Sequence, residues 1–198
     1  MVRGGESKEN VRMRFKTKIV AALLGLVALP TAASAAIIGG TYYATQYDFA
    51  EFFAATDGRN FQVVLAGNAF PGIDPNTVAR DLLPVMQAAK PRPALTFTYD
   101  SPVERPRPDY RLVLVLDPAL DLGSDSVCRG VTRFRQGRPG VFNVYAVYCR
   151  NDMSMSETTA WTQATGPTDP RIDQLFRELF QVVFADGVYR PLNPNRRR

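Results

Sequence analysis

Hydrophobic positions along the chain change their spacing several times, and each change marks an element. Ile19 to Leu29 is an unbroken apolar run. Arg3, Lys8, Arg12, Arg14, Lys16 and Lys18 precede it, and Pro30 and the small residues Thr31 to Ala36 follow. Basic, apolar and small segments in that order make a secretory leader, and Ala33-Ser34-Ala35 fits its cleavage rule. The run falls short of the about 20 apolar residues that a membrane span needs. Residues 1–35 therefore read as a cleaved signal peptide, the alternative being an uncleaved anchor that extends through Ile38. Residues 36–58 form a lead-in. Asp48 and Glu51 suit the cap of a short helix there, while Asp57-Gly58 equally suits a hairpin turn.

Beyond the lead-in the pattern sharpens. Phe61 to Ala66 is a strand ended by Gly67-Asn68. Asp74-Pro75 places a capping carboxylate and a proline where a helix begins. Val78, Leu82, Val85, Met86 and Ala89 follow at helical spacing, which predicts a helix over 75–89, kinked or split at Pro84. Leu95 to Tyr99 alternates with a period of two, and Tyr110 to Leu116 is apolar enough to be buried on both faces. The proline-rich segment between them reads as a hairpin loop. Val131 to Arg135 and Val141 to Cys149 are strands on either side of the turn Gly137 to Gly140. Thr158 to Thr165 is a further strand that returns through Asn151-Asp152. Asp169-Pro170 repeats the capping device, and Ile172, Leu175, Phe176, Leu179, Phe180 and Val183 form the single stripe of a helix lying on a sheet. The order β-α-β-β-β-β-β-α predicts an α+β domain over 59–190, a mostly antiparallel sheet of about five to six strands with an internal and a C-terminal helix. An Arg-rich tail, 191–198, is expected to be disordered.

Charge changes the picture once the leader is set aside. Six of the 24 basic and two of the 19 acidic residues fall in it, so the remainder carries 18 against 17. Three of those 18 are Arg196, Arg197 and Arg198. No surplus is left for the dense basic surface that nucleic acid requires, and contact with a membrane is expected only through the leader.

Chemistry is sparse. The chain has no histidine, which removes the Ser-His-Asp triad, the Cys-His dyad and His-ligated zinc. Cys128 and Cys149 are the only cysteines, and in an oxidising compartment they are expected to pair, closing a loop worth about 3 kcal/mol. Two independent thiols are the alternative. Asp117, Asp121 and Asp125 recur every four residues, but not in the alternating pattern of a calcium loop, and Asp is common in turns for its own reasons. No catalytic residue, cofactor or metal is called for. The segment Lys90 to Pro93 and the loop Glu104 to Asp109 are stiff and carry bidentate donors. Arg92, Arg105 and Arg107 are therefore candidate interaction residues, and Trp161, flanked by threonines, is a fourth if it lies on an exposed face.

The runs KPRPALTFTYDSP, RPDYRLVLVLDP, NVYAVYCRND and TTAWTQATGPTDPR resemble a family of small exported proteins of alphaproteobacteria, over Phe61 to Phe184. More distantly, the order of elements is similar to envelope domains of the curli-secretion-channel and TolB N-terminal type. The first resemblance brings no activity and the second no functional residues. The leader, the missing catalytic set and the fold-level likeness together point to a periplasmic or secreted, non-enzymatic module whose partner is an envelope protein or glycan. An extracytoplasmic hydrolase or small-ligand protein using carboxylates is the alternative.

Overall fold

A computed structural model of the chain describes residues 36–103 and 105–188. The leader 1–35, Glu104 and the Arg-rich tail 191–198 lie outside the described residues. Among the described residues, seven strands and four helices follow in the order β1 (Ile37–Ile38), β2 (Tyr42–Tyr43), α1 (Phe49–Thr56), β3 (Asn60–Ala66), α2 (Pro75–Ala89), β4 (Thr96–Thr98), β5 (Tyr110–Leu116), α3 (Ser124–Cys128), β6 (Val141–Arg150), β7 (Met153–Gln163) and α4 (Pro170–Val183).

The expected α+β architecture is present, with an internal helix and a C-terminal helix, but the sheet is mixed rather than mostly antiparallel. Its order is β1-β7-β6-β5-β3-β4, with β2 also on β7. β1 and β2 thus share one outer position. β4 and β5 both run parallel to β3, one on each side of it. The proline-rich segment therefore carries the chain past β3 instead of closing a hairpin. Local patterning specifies a strand but not its neighbour, so this pairing was not legible.

Asp74 and Asp169 cap α2 and α4, accepting hydrogen bonds from the backbone N–H groups of Thr77 and Arg171. Asp48 does the same for α1, accepting from Ala50 N at 2.8 Å, so the helix reading of the lead-in prevails over the hairpin turn. Pro84 neither ends nor splits α2. It stands on the exposed face, where the carbonyl that loses its N–H partner can turn to water. Val131 to Arg135 is not a strand. Only a single bridge, Phe134 with Pro118, forms there. The segment that leads to Cys128 contains α3.

The sheet buries both faces unequally. On one face α1, α2 and α4 cover a continuous core that includes Phe52, Phe61, Phe97, Phe142, Phe176, Phe180 and Phe184. Tyr43 and Ser156 reach across it, donating to the carbonyls of Val182 (2.5 Å) and Val183 (2.6 Å) at the end of α4. On the other face α3 and its flanking loops cover a smaller group, Val113, Val115, Leu122, Val127, Tyr145 and Val147. There Cys128 and Cys149 are disulfide-bonded, with their Cα atoms 5.6 Å apart.

Candidate functional site: an arginine-lined cleft

The end of the sheet where β5 begins and β6 turns into β7 gathers Arg105, Arg107, Arg111 and Arg150. Asn151 makes the turn with φ 52°, a conformation that Asn tolerates because its short side chain bonds locally. The Asn151 N–H donates to the carbonyl of Asp109 (2.7 Å), and the Asp109 N–H donates to Asn151 Oδ1 (2.9 Å). These two bonds clip the proline-rich loop to the β6–β7 turn.

Arg111, the second residue of β5, fixes the floor. It pairs in register with Cys149 of β6. One guanidinium nitrogen lies 2.9 Å from Asp109 Oδ2, and the other donates to the carbonyl of Cys128. Arg111 and Asp109 are 8 % and 7 % exposed. A buried ion pair of this kind holds only because its geometry is good and further hydrogen bonds satisfy it. Arg105 approaches the same carboxylate at 3.9 Å while most of its side chain faces solvent. Arg107 is exposed. Arg150 closes the far wall, 3.4 Å from Glu51 Oε2, and the Tyr110 hydroxyl donates to the other oxygen of Glu51. Burial, reinforced by the Glu51 carboxylate, pushes the Tyr110 phenol up to about 12, so it stays a neutral donor at physiological pH.

The resulting cleft measures about 640 Å³ and is lined by Arg105, Arg107, Asp109, Arg111, Arg150, Asn151 and Asp152, with Pro106 and Pro108. A second hollow of about 640 Å³ adjoins it across the turn, with Gln46, Asp125, Arg129 and Met153 added to the shared Arg150, Asn151 and Asp152. Asp109 is committed to Arg111 and Arg105. The cleft therefore presents guanidinium donors from three elements, with Asp152 on its lining and Glu51 beside Arg150 as the remaining acids, and guanidinium forks of this kind take up carboxylate or phosphate groups.

The structure divides the four candidate residues. Arg105 and Arg107 meet in this cleft. Arg92 lines a separate groove of about 600 Å³ between α2 and α4, with Lys90, Arg177, Phe53 and Phe180. Trp161 lies on β7, opposite Ile37 of β1, and is 42 % exposed. Arg111 and Arg150 were missed. A charged residue inside the apolar run YRLVLVL was the available signal for Arg111. The aspartates do not gather: Asp117 is buried, Asp121 pairs with Arg133 at 2.9 Å on the surface, and Asp125 lies in the first turn of α3. Among the described residues no group of three or more His, Cys, Asp or Glu side chains is placed to hold a metal ion, and no helix is long and apolar enough to cross a membrane.

No family model and no curated protein matches the chain. Among solved structures it is similar to the PelC dodecamer from Paraburkholderia phytofirmans, at 10 % identity and a TM-score of 0.39 over 77 % of this chain and 99 % of that one.

Proposed function

We propose that this is an exported, non-enzymatic binding module of the cell envelope that captures an anionic group of its partner in the arginine-lined cleft. The observation that carries the reading is the convergence of Arg105, Arg107 and Arg150 over a floor held by the Arg111–Asp109 pair. The leader directs export, and a disulfide between Cys128 and Cys149 suits the oxidising side of the membrane. With no histidine in the chain and, among the described residues, Asp109 already held by Arg111, anion binding is the chemistry that this cleft supports.

The test is binding of a soluble polyanion by the purified protein, followed by calorimetry across a salt series. Charge-dominated capture predicts an affinity that falls steeply with ionic strength, and Arg105→Ala combined with Arg107→Ala abolishes most of it. Equal affinity of that variant and the unaltered protein would sink the reading. Export is checked separately, by fractionation and N-terminal mapping of the processed chain.

A further inference from the structure

β4 is the last strand in the sheet order. The Thr96 N–H donates to the carbonyl of Arg59 at 2.9 Å, so the polar groups of Thr96 face β3. Backbone groups of successive strand residues point to opposite sides, which turns the Leu95 carbonyl and the Phe97 N–H away from β3 and onto the outer edge. Unpaired groups on such an edge are a template for another strand. Here one side chain takes both. Gln87, near the end of α2, accepts from the Phe97 N–H through Oε1 at 2.7 Å and donates to the Leu95 carbonyl through Nε2 at 3.1 Å. Lys90 Nζ donates to the same carbonyl at 3.1 Å. A side-chain amide carries an acceptor and donors as a peptide group does, so Gln87 stands in for the backbone of a further strand, which would lie about 4.8 Å from β4. The opposite edge is guarded differently: its outer position is divided between β1 and β2, of two residues each, and short edge strands offer little to pair with.

We infer that Gln87, with Lys90, is a lock that keeps β4 from pairing edge to edge with a second copy of this chain. The edge is self-complementary. Turned antiparallel about a two-fold axis, two copies place Thr96 opposite Thr96 as a pair without mutual hydrogen bonds. The Phe97 N–H of each copy then meets the Leu95 carbonyl of the other. Those are the two groups that the amide already holds, so the lock and the second copy exclude one another. Thr96 itself is exposed and puts only a small side chain at the axis. Charge acts in the same direction as the lock. Lys90 and Arg92 are exposed beside the edge, and pairing would bring the basic residues of both copies together, a device that edge strands use against association.

The experiment compares the protein purified after export with Gln87→Ala, Lys90→Ala and the two combined. Ala is the better helix former, so α2 persists in each. Hydrogen exchange at the Phe97 amide should speed up about tenfold in Gln87→Ala and stay unchanged in Lys90→Ala, which loses a contact to the Leu95 carbonyl alone. Gln87→Met keeps the bulk of the side chain without its hydrogen bonds and should free the Phe97 amide in the same way. Continued protection of that amide in a folded Gln87→Met chain would assign the closure to packing and overturn the lock. Thr96→Cys, added to each form and treated with diamide, should join two copies on the combined background and not on the unaltered one, because directly opposed residues bring their Cβ atoms close to disulfide reach. Light scattering should show the combined variant, without the added cysteine, gaining mass with concentration beyond the unaltered chain. A folded combined variant that neither gains mass nor cross-links at Thr96 would overturn the assignment of a second copy. Cross-linking of the otherwise unaltered chain at Thr96 would overturn the inference as well, since the edge would then be open with the lock in place.

Discussion

The two faces of the sheet are held by different physics. The face under α1, α2 and α4 is an aromatic core in which rings meet rings: Phe52 stacks on Phe184 with centroids 4.4 Å apart, and Phe176 and Phe180 meet at 5.4 Å. Two of its helices run 15 and 14 residues, and each lays an apolar stripe on the sheet. The opposite face has α3, five residues long and with no side-chain cap at its N-terminus. A helix so short cannot stand on its own hydrogen bonds. There the disulfide and the Arg111 guanidinium tie α3 to the sheet, one through Cys149 and the other through the Cys128 carbonyl. Where a face buries enough apolar surface it needs no staple. Where it does not, covalent and ionic links supply what packing leaves short, and the candidate cleft is built on those links.

The largest expected effect lies on the packed face. Phe176 is fully buried and touches Phe142 and Phe180. Phe176→Ala should cost about 3–5 kcal/mol, measured by denaturant unfolding, and should not alter polyanion affinity while the protein stays folded. A loss below about 1 kcal/mol would mean that this core repacks freely, and the contrast between the faces would weaken.

Removing the staple comes next. Cys128→Ala with Cys149→Ala opens a link spanning 21 positions, worth about 3 kcal/mol in the chain-entropy model. Hydrogen exchange should then rise across α3 while α4 keeps its protection. Polyanion affinity should fall as well, because Arg111 loses the fixed carbonyl that orients it under the cleft. Uniform loosening of both faces would show that the disulfide acts on the whole domain and would break the comparison.

The same division explains what the sequence revealed. Both long helices were legible because Asp74-Pro75 and Asp169-Pro170 mark their starts and one stripe marks their buried face. Those signals lie within about 15 residues of chain, where periodicity operates. The partners of β3 depend on segments far apart in sequence, and the proline-rich loop mimics a hairpin connection, so the parallel pairs escaped notice. The disulfide followed from an even cysteine count and the leader, without geometry. Half of the cleft was visible, since Arg105 and Arg107 sit in a stiff loop. Arg111 and Arg150 escaped because they occupy strands whose neighbours are apolar, and only the register of β5 on β6 reveals what they face.

Acid titration sharpens the contrast further. Asp169 caps α4 and accepts from Arg171 Nη2 at 2.6 Å and Nε at 2.9 Å. That charge-assisted pairing, ahead of the backbone N–H bonds to the same carboxylate, holds its pKa well below the ordinary 3.8. A lowered folded-state pKa means the stabilisation is present above pH 3.8 and is lost as pH falls below it. Asp169→Ala should therefore cost about 1 kcal/mol at neutral pH, and the difference from the unaltered protein should shrink in acid. A difference independent of pH would assign the effect to local packing instead of charge.

Asp117, at the end of β5, should show the opposite sign and the smallest effect. It is 1 % exposed, and its Oδ2 has no hydrogen-bond partner among the described residues. Burial raises its pKa above 3.8, against the lowering effects of an Asn143 hydrogen bond and the charges of Arg138 and Arg135. A raised folded-state pKa means that the native chain binds this proton more tightly than the unfolded one. Its contribution therefore favours folding in acid and declines as pH rises from 3.8 through the folded value. At neutral pH the buried carboxylate is a net cost. Asp117→Asn keeps the shape and tolerates the φ of 48° that this position adopts, so it should raise the melting temperature at pH 7 and leave it unchanged near pH 3. A lower melting temperature at pH 7 would mean that Arg135 and Arg138 more than offset the burial. The stapled face would then be held by this carboxylate as well as by its disulfide.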